Sequence, residues 1–141
     1  MGRILGIDWG ERRVGVALSD PLGITAQPLA FLPGGNEGDL LDALARLVEE
    51  REVERVVVGV PLHMSGARGA RARKTEAFMA RLAKRLSVPV EGWDERLSTA
   101  AAERSLREMG LSGKKRRGKL DVASAQLILQ GYLDRQRGAG R

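Results

Sequence analysis

The chain contains no cysteine and a single histidine, His63. Without thiols there is no disulfide framework and no thiolate metal site, and one imidazole leaves little from which to build a zinc centre or a Ser-His-Asp triad. No apolar run approaches the roughly 18 residues that a membrane span requires. Met1 and Gly2 lead straight into Arg3-Ile4-Leu5-Gly6-Ile7, with no long apolar leader, so a cytoplasmic protein is expected. Any chemistry must therefore run on carboxylates, hydroxyls and basic groups.

What is present is ordinary in kind and uneven in placement. The 141 residues suit one compact domain, expected over residues 1 to 137, with residues 138 to 141 as a disordered tail. The formal charge is +6. Residues 1 to 100 carry 14 basic and 14 acidic side chains and residues 101 to 141 carry 10 and 4, so the whole excess lies in the C-terminal part. Such a surface either solubilises the chain or attracts a polyanion such as nucleic acid, through release of condensed counterions.

Hydrophobic periodicity orders the elements as β-β-β-α-β-α-β-α-α. Two short apolar runs, residues 3 to 9 and 13 to 18, flank a Gly-Glu-Arg turn and predict a hairpin. Residues 24 to 32 predict a third strand, with Pro28 implying an edge position or a bulge. A helix over residues 37 to 51 places Leu40, Leu41, Leu44, Leu47 and Val48 on one face. The Val-rich residues 55 to 60 suit a strand buried on both sides. After a loop over 61 to 69 comes a basic helix, 71 to 86, with Phe78, Leu82, Leu86 and either Ala77 or Met79 inward. A fifth strand (88 to 93), a helix (98 to 109) N-capped by Ser98, a basic loop (111 to 119) and a last helix (120 to 137) complete the chain. Three strands followed by alternating helices and strands imply an α/β fold: a five-stranded mixed sheet, antiparallel first and parallel afterwards, flanked by helices. That order matches the RNase H-like fold.

Acids at element ends give this frame its chemistry. Asp8 closes an apolar strand and shares a face with Ile4 and Gly6, with glycines nearby that leave room for a ligand; an Asp in that place also serves simply to start a turn. Asp94 and Glu95 follow the fifth strand, where α/β sheets form their sites. Alternation sends the two to opposite faces, and spacing does not choose between them. Asp121 opens the last helix, where the helix dipole favours an acid in any case, although Ala123, Ser124 and Ala125 would let that helix approach the sheet closely. Carboxylates from separate elements suit one or two hard cations, Mg²⁺ or Mn²⁺, and so a metal-assisted attack on a phosphodiester.

Four ordered segments carry a resemblance that extends over nearly the whole chain. They are Gly6-Ile7-Asp8-Trp9-Gly10 with the Glu11-Arg12-Arg13 that follows, Val58-Gly59-Val60-Pro61 running on to Gly66, Asp94-Glu95-Arg96-Leu97-Ser98-Thr99, and Lys119-Leu120-Asp121-Val122-Ala123-Ser124-Ala125. Together they resemble the YqgF/RuvX family of RNase H-like proteins, whose members are described as Holliday junction resolvases and as nucleases of the pre-16S rRNA 5′ end. The resemblance implies that Asp8, Glu95 and Asp121 are the catalytic, metal-holding acids. His63 stands where Asn or another polar residue is expected, and Ser98 where Thr is commoner; neither is a proposed ligand. The expected activity is a metal-dependent endonuclease acting on structured nucleic acid, processing pre-16S rRNA in ribosome biogenesis, with a ribosomal precursor particle as partner. The alternatives are a junction resolvase, which would favour a two-fold dimer, and a nucleic-acid-binding module without turnover. A sugar-kinase-like ATP enzyme would need a second lobe for which the chain has no length. Candidate nucleic-acid contacts are Arg12, Arg13, Arg68, Arg71, Arg96, Lys114, Lys115, Arg116, Arg117 and Lys119. Trp9 and Trp93 are expected in the core or at its rim rather than as stacking platforms, and His63 as a loop residue rather than a base.

Overall fold

A computed structural model describes residues 2–63, 65–97, 100–108 and 120–139, excepting the side chains of residues 100, 101, 105, 120–123 and 139. The elements are β1 (Arg3–Asp8), β2 (Arg13–Ser19), β3 (Ala26–Pro33), α1 (Glu37–Glu50), β4 (Val53–Val60), α2 (Ala70–Arg85), β5 (Val90–Asp94), a single 3-10 turn (Glu95–Leu97), α3 (Ala100–Glu108) and α4 (Leu120–Ala139). The strands form one sheet in the order β3-β2-β1-β4-β5. β1 runs antiparallel to β2 and β2 to β3, while β1, β4 and β5 are parallel to one another. The expected mixed sheet is what forms. Expected ends move by one or two residues, and α4 continues through Gly138 and Ala139, the first two residues of the expected tail.

Pro28 meets both of its expectations. β3 is an edge strand, and its register with β2 shifts between Val16 and Ala17, so that Val16 pairs with Ala30 and Ala17 with Pro28. The missing N–H therefore falls where the ladder is already interrupted.

Alternation along the strands builds two cores. Leu5 and Ile7 of β1, with Val56 and Val58 of β4, face α1 and α2, which contribute Leu40, Leu44, Val48, Phe78 and Leu82. On α2, Ala77 is exposed and Met79 half-buried, which resolves that pair; Ala72 and Thr75 extend the buried stripe, and the Thr75 hydroxyl donates to the Arg71 carbonyl at 2.9 Å. The opposite face, with Ala17 and Val57, receives Ala125, Ile128, Leu129, Tyr132 and Leu133 of α4. Helix α3 packs on α4 through the buried Ala102 and Leu106, so α4 is enclosed on two sides.

α4 also binds the sheet edge through polar groups. The Ala26 N–H donates to Gln130 Oε1 at 2.9 Å, and Gln126 Nε2 donates to the Ala26 carbonyl at 3.0 Å. Gln130 Nε2 reaches the Ile24 carbonyl at 3.0 Å, which Arg137 Nη1 shares at 2.8 Å. Both glutamines are fully buried, so they complete backbone bonding at a place water cannot reach. Gln130→Met keeps the volume and strands the Ala26 N–H; it should cost about 1–3 kcal/mol of unfolding free energy, read from denaturant melts. An unchanged midpoint would show that the Gln130 bonds of the clamp contribute nothing.

Candidate active site

The site forms where side chains are missing. At Gly6 an added Cβ would stand 2.7 Å from Leu129 Cβ and 3.3 Å from the Ala125 carbonyl oxygen. At Gly59 it would meet Ile128 Cδ1 at 2.5 Å and both Cγ and Oε2 of Glu95 at 3.0 Å. Two glycines in neighbouring strands thus let α4 and Glu95 lie directly on the sheet.

Register fixes what surrounds Gly59. Ile7 pairs with Val58, so Asp8 and Gly59 are the next residues along β1 and β4, about 4.8 Å apart across the ladder. Asp8 belongs to the α4 face with Ile4 and Gly6, because Leu5 and Ile7 point to the other core. In β5 Trp93 faces α4, its ring edge-on to Tyr132 with centroids 5.9 Å apart, while a Cβ on Gly92 would meet Met79 of α2. The half-buried Glu95 returns to the α4 face, against Gly59. Asp8 and Glu95 thus flank the same bare stretch of strand.

Asp94 is engaged elsewhere. Its carboxylate accepts from Arg96 Nη2 at 2.6 Å and Nε at 3.0 Å, and also from the Arg96 backbone N–H at 3.0 Å. The Arg96 guanidinium holds the Asp94 carboxyl below its ordinary range. Glu95 goes the opposite way: burial pushes its carboxyl up, Asp94 adds to the rise, and the positive charge of Arg71 opposes it. Burial favours the neutral form of this carboxyl, and a cation placed beside it would favour the ionised form.

α4 brings in the third acid. It runs antiparallel to β1: Tyr132 accepts from Arg55 Nη1 at 2.7 Å beside the pairing of Ile4 with Arg55, and Ala125 and Leu129 lie over Gly6. From Ala125 to Asp121 is one helical turn, about 6 Å of rise, and from Gly6 to Asp8 is about 7 Å of strand. The Asp121 backbone therefore stands near the level of Asp8; its side chain lies outside the described set. Among the described residues no three acids or histidines gather into a metal-binding group. The all-oxygen donors, with Glu95 half-buried, fit a hard divalent cation.

The predicted basic residues separate into groups. Arg12, Arg13 and Arg71 border a groove of about 340 Å³ beside Asp8, together with Trp9, Glu11 and Lys74. Lys74 pairs with Glu11 at 3.1 Å, and the Arg13 guanidinium stands 5.8 Å from the Phe31 ring centre. Arg68 is occupied by Glu76 at 2.9 Å, and the Nε edge of Arg96 by Asp94. Arg96 also lies along Gly66, whose φ of +89° and open side leave space for the guanidinium. His63 is an exposed loop residue stacked against Gly69. Lys114, Lys115, Arg116, Arg117 and Lys119, and the Ser98 cap, lie outside the described residues. Sequence reasoning missed Gly59, Glu11 and Lys74. A lone glycine in a valine strand was a signal for the first, and the three-residue step from Arg71 on one helix face for Lys74.

Comparison with known proteins agrees with this geometry. The chain is 48% identical over 134 residues to a protein of Halothermothrix orenii named "Putative pre-16S rRNA nuclease", covering 95% of this chain and 96% of that one. A Koribacter versatilis protein of the same name is 48% identical over 135 residues, covering 96% and 88%. The structure of RuvC from T. thermophilus in complex with a Holliday junction superposes with a TM-score of 0.68 at 18% identity, covering 98% of this chain and 97% of that one, a likeness of fold. The family model described as RuvX, Holliday junction resolvase, matches residues 2–135, and the chain belongs to that family.

Proposed function

We propose that the chain is a metal-dependent endonuclease that hydrolyses phosphodiester bonds in structured nucleic acid, its substrate being the 5′ end of pre-16S rRNA. The observation that carries this reading is the placement of Asp8 and Glu95 on either side of Gly59, on the face against which the Asp121-bearing helix packs. The name shared by the full-length relatives supports the choice of RNA. On this reading the protein works in the cytoplasm, on a ribosomal precursor particle; no helix among the described residues is long and apolar enough to cross a membrane.

Asp8, Glu95 and Asp121 would hold Mg²⁺ or Mn²⁺. A bound divalent ion supplies polarisation of a phosphoryl oxygen and activation of the attacking water. The chain's own residues do the rest. Asp8 is fixed by a strand paired on both sides, and Glu95 by its seat on Gly59. Arg71 offsets the burial of Glu95 and faces the groove where an adjacent phosphate would lie. Asp94 keeps Arg96 in place, which leaves Glu95 as the acid of that turn directed to the site.

A second reading, cleavage of four-way DNA junctions, is favoured by the description of the family model. The deciding experiment compares a ribosomal RNA precursor 5′ end with a four-way DNA junction, each with and without Mn²⁺. Faster metal-dependent cleavage of the RNA is expected; preference for the junction, together with a two-fold dimer, would reverse the assignment. Asp8→Asn and Glu95→Gln should each lower kcat by at least roughly 100-fold while leaving nucleic-acid binding intact. Cleavage at an unchanged rate in Asp8→Asn would sink the carboxylate mechanism, and absence of cleavage in the unaltered chain would leave a binding module. Gly59→Ala should act through Glu95: its methyl displaces the Glu95 carboxylate and Ile128, reducing kcat and costing about 1–3 kcal/mol of stability. Full activity in that variant would show that Glu95 does not act from its seat on Gly59.

A further inference from the structure

The groove beside Asp8 is more than a charged rim. Four cations, Arg12, Arg13, Arg71 and Lys74, line it against one acid, Glu11, and Trp9 lines it as well. The Trp9 ring is stacked on Phe78 with centroids 5.4 Å apart and planes 18° apart, and Phe78 is fully buried. An aromatic ring pinned in this way is already ordered before any ligand arrives. The groove neighbours the acids without including them: Trp9 follows Asp8 in the chain but packs toward the Phe78 core, and Arg71, at the groove's edge, is the cation whose charge acts on Glu95.

Resting on the nuclease reading, we propose that this groove takes one unpaired nucleotide of the substrate next to the bond that is cut. Its phosphate would lie on Arg12, Arg71 and Lys74, and its base against Trp9. Charge alone would suit any phosphate backbone; the aromatic ring narrows the choice. A base in a duplex has both faces covered by stacked neighbours and shows only its edges in the grooves, whereas an unpaired base offers a face. The volume, about 340 Å³, suits a single small ligand. Glu11 and Lys74 are both well exposed, so their pairing is weak and a phosphate can take Glu11's place on Lys74. Glu11 is then the one repulsive charge among the residues that line the groove.

Binding is measured without metal, in EDTA at fixed salt, so that no cleavage is needed. A labelled single-stranded oligonucleotide is titrated with the unaltered chain by fluorescence anisotropy, against a blunt duplex with the same number of phosphates. The single strand should bind about tenfold more tightly. In a Trp93→Phe background, where Trp9 is the remaining indole, saturation should quench emission. Arg71→Ala and Lys74→Ala should weaken the single-strand complex and each reduce its salt slope by about 0.7, and Glu11→Gln should tighten it. Equal affinity for duplex, or saturation with no change in Trp9 emission, would overturn the proposal; should Trp93→Phe fail to fold, the anisotropy comparison decides alone. A chain that prefers single strands yet cuts nothing with Mn²⁺ sinks the nuclease reading and keeps the groove. One that cuts but binds duplex equally well sinks the groove and keeps the nuclease.

Discussion

The close seating of α4 on the sheet is the constraint on which the rest of the molecule depends. Gly6 and Gly59 remove the two side chains that would hold the helix off, and the space is taken by Leu129, Ile128 and the stem of Glu95. A sheet faced with valine at those positions would bury more apolar area and would be the better core. It would also push α4 outward and turn Glu95 away from Asp8. The two glycines therefore give up packing in the strands for close approach of α4 and Glu95 to the sheet that carries Asp8.

Seating a helix on glycine leaves its sliding position weakly determined, because a flat surface offers few knobs. The glutamine clamp supplies what the glycines cannot. Gln126 and Gln130 bond the Ala26 peptide group on both its N–H and its carbonyl, and Arg137 adds a further bond to the Ile24 carbonyl. Hydrogen bonds have length and direction where apolar contacts have only area, so this buried pair fixes the helix along its axis. The same bonds cover the beginning of an edge strand, and Pro28 interrupts the next part of it.

Much of this was legible in the sequence because it is local. Periodicity located all five strands and the helices, and Pro28 announced the edge and the bulge. Asp8 could be placed on a face by counting. What counting could not reach were relations between distant segments. The choice between Asp94 and Glu95 rests on the turn after β5 and on the bare Gly59 beside it, which lies 51 residues from Asp8 in the chain yet next to it in the sheet. Lys74 read as one more charge on a basic helix, since its partner Glu11 lies on the first hairpin. Gln126 and Gln130 gave no signal at all: a glutamine on a helix is ordinary until the strand that it bonds is known.

The adjacent acids at the junction of β5 and the 3-10 turn show how one short motif serves two electrostatic ends. Asp94 and Glu95 are successive residues, so alternation forces them apart, and each meets a different field. Asp94, at the end of β5, is neutralised by Arg96 two residues on, at 2.6 Å, with the guanidinium lying along Gly66 of the preceding loop. Glu95 has no such partner within the motif; its carboxyl is raised by burial and only partly relieved by Arg71. Had the arginine taken Glu95 instead, the half-buried carboxylate would be satisfied and a metal ion would have to displace a guanidinium to reach it. Spending Arg96 on the outward acid keeps the inward one in deficit of positive charge. On the proposed function, that deficit, set beside Asp8, is what a bound cation would fill and what would draw the phosphates after it.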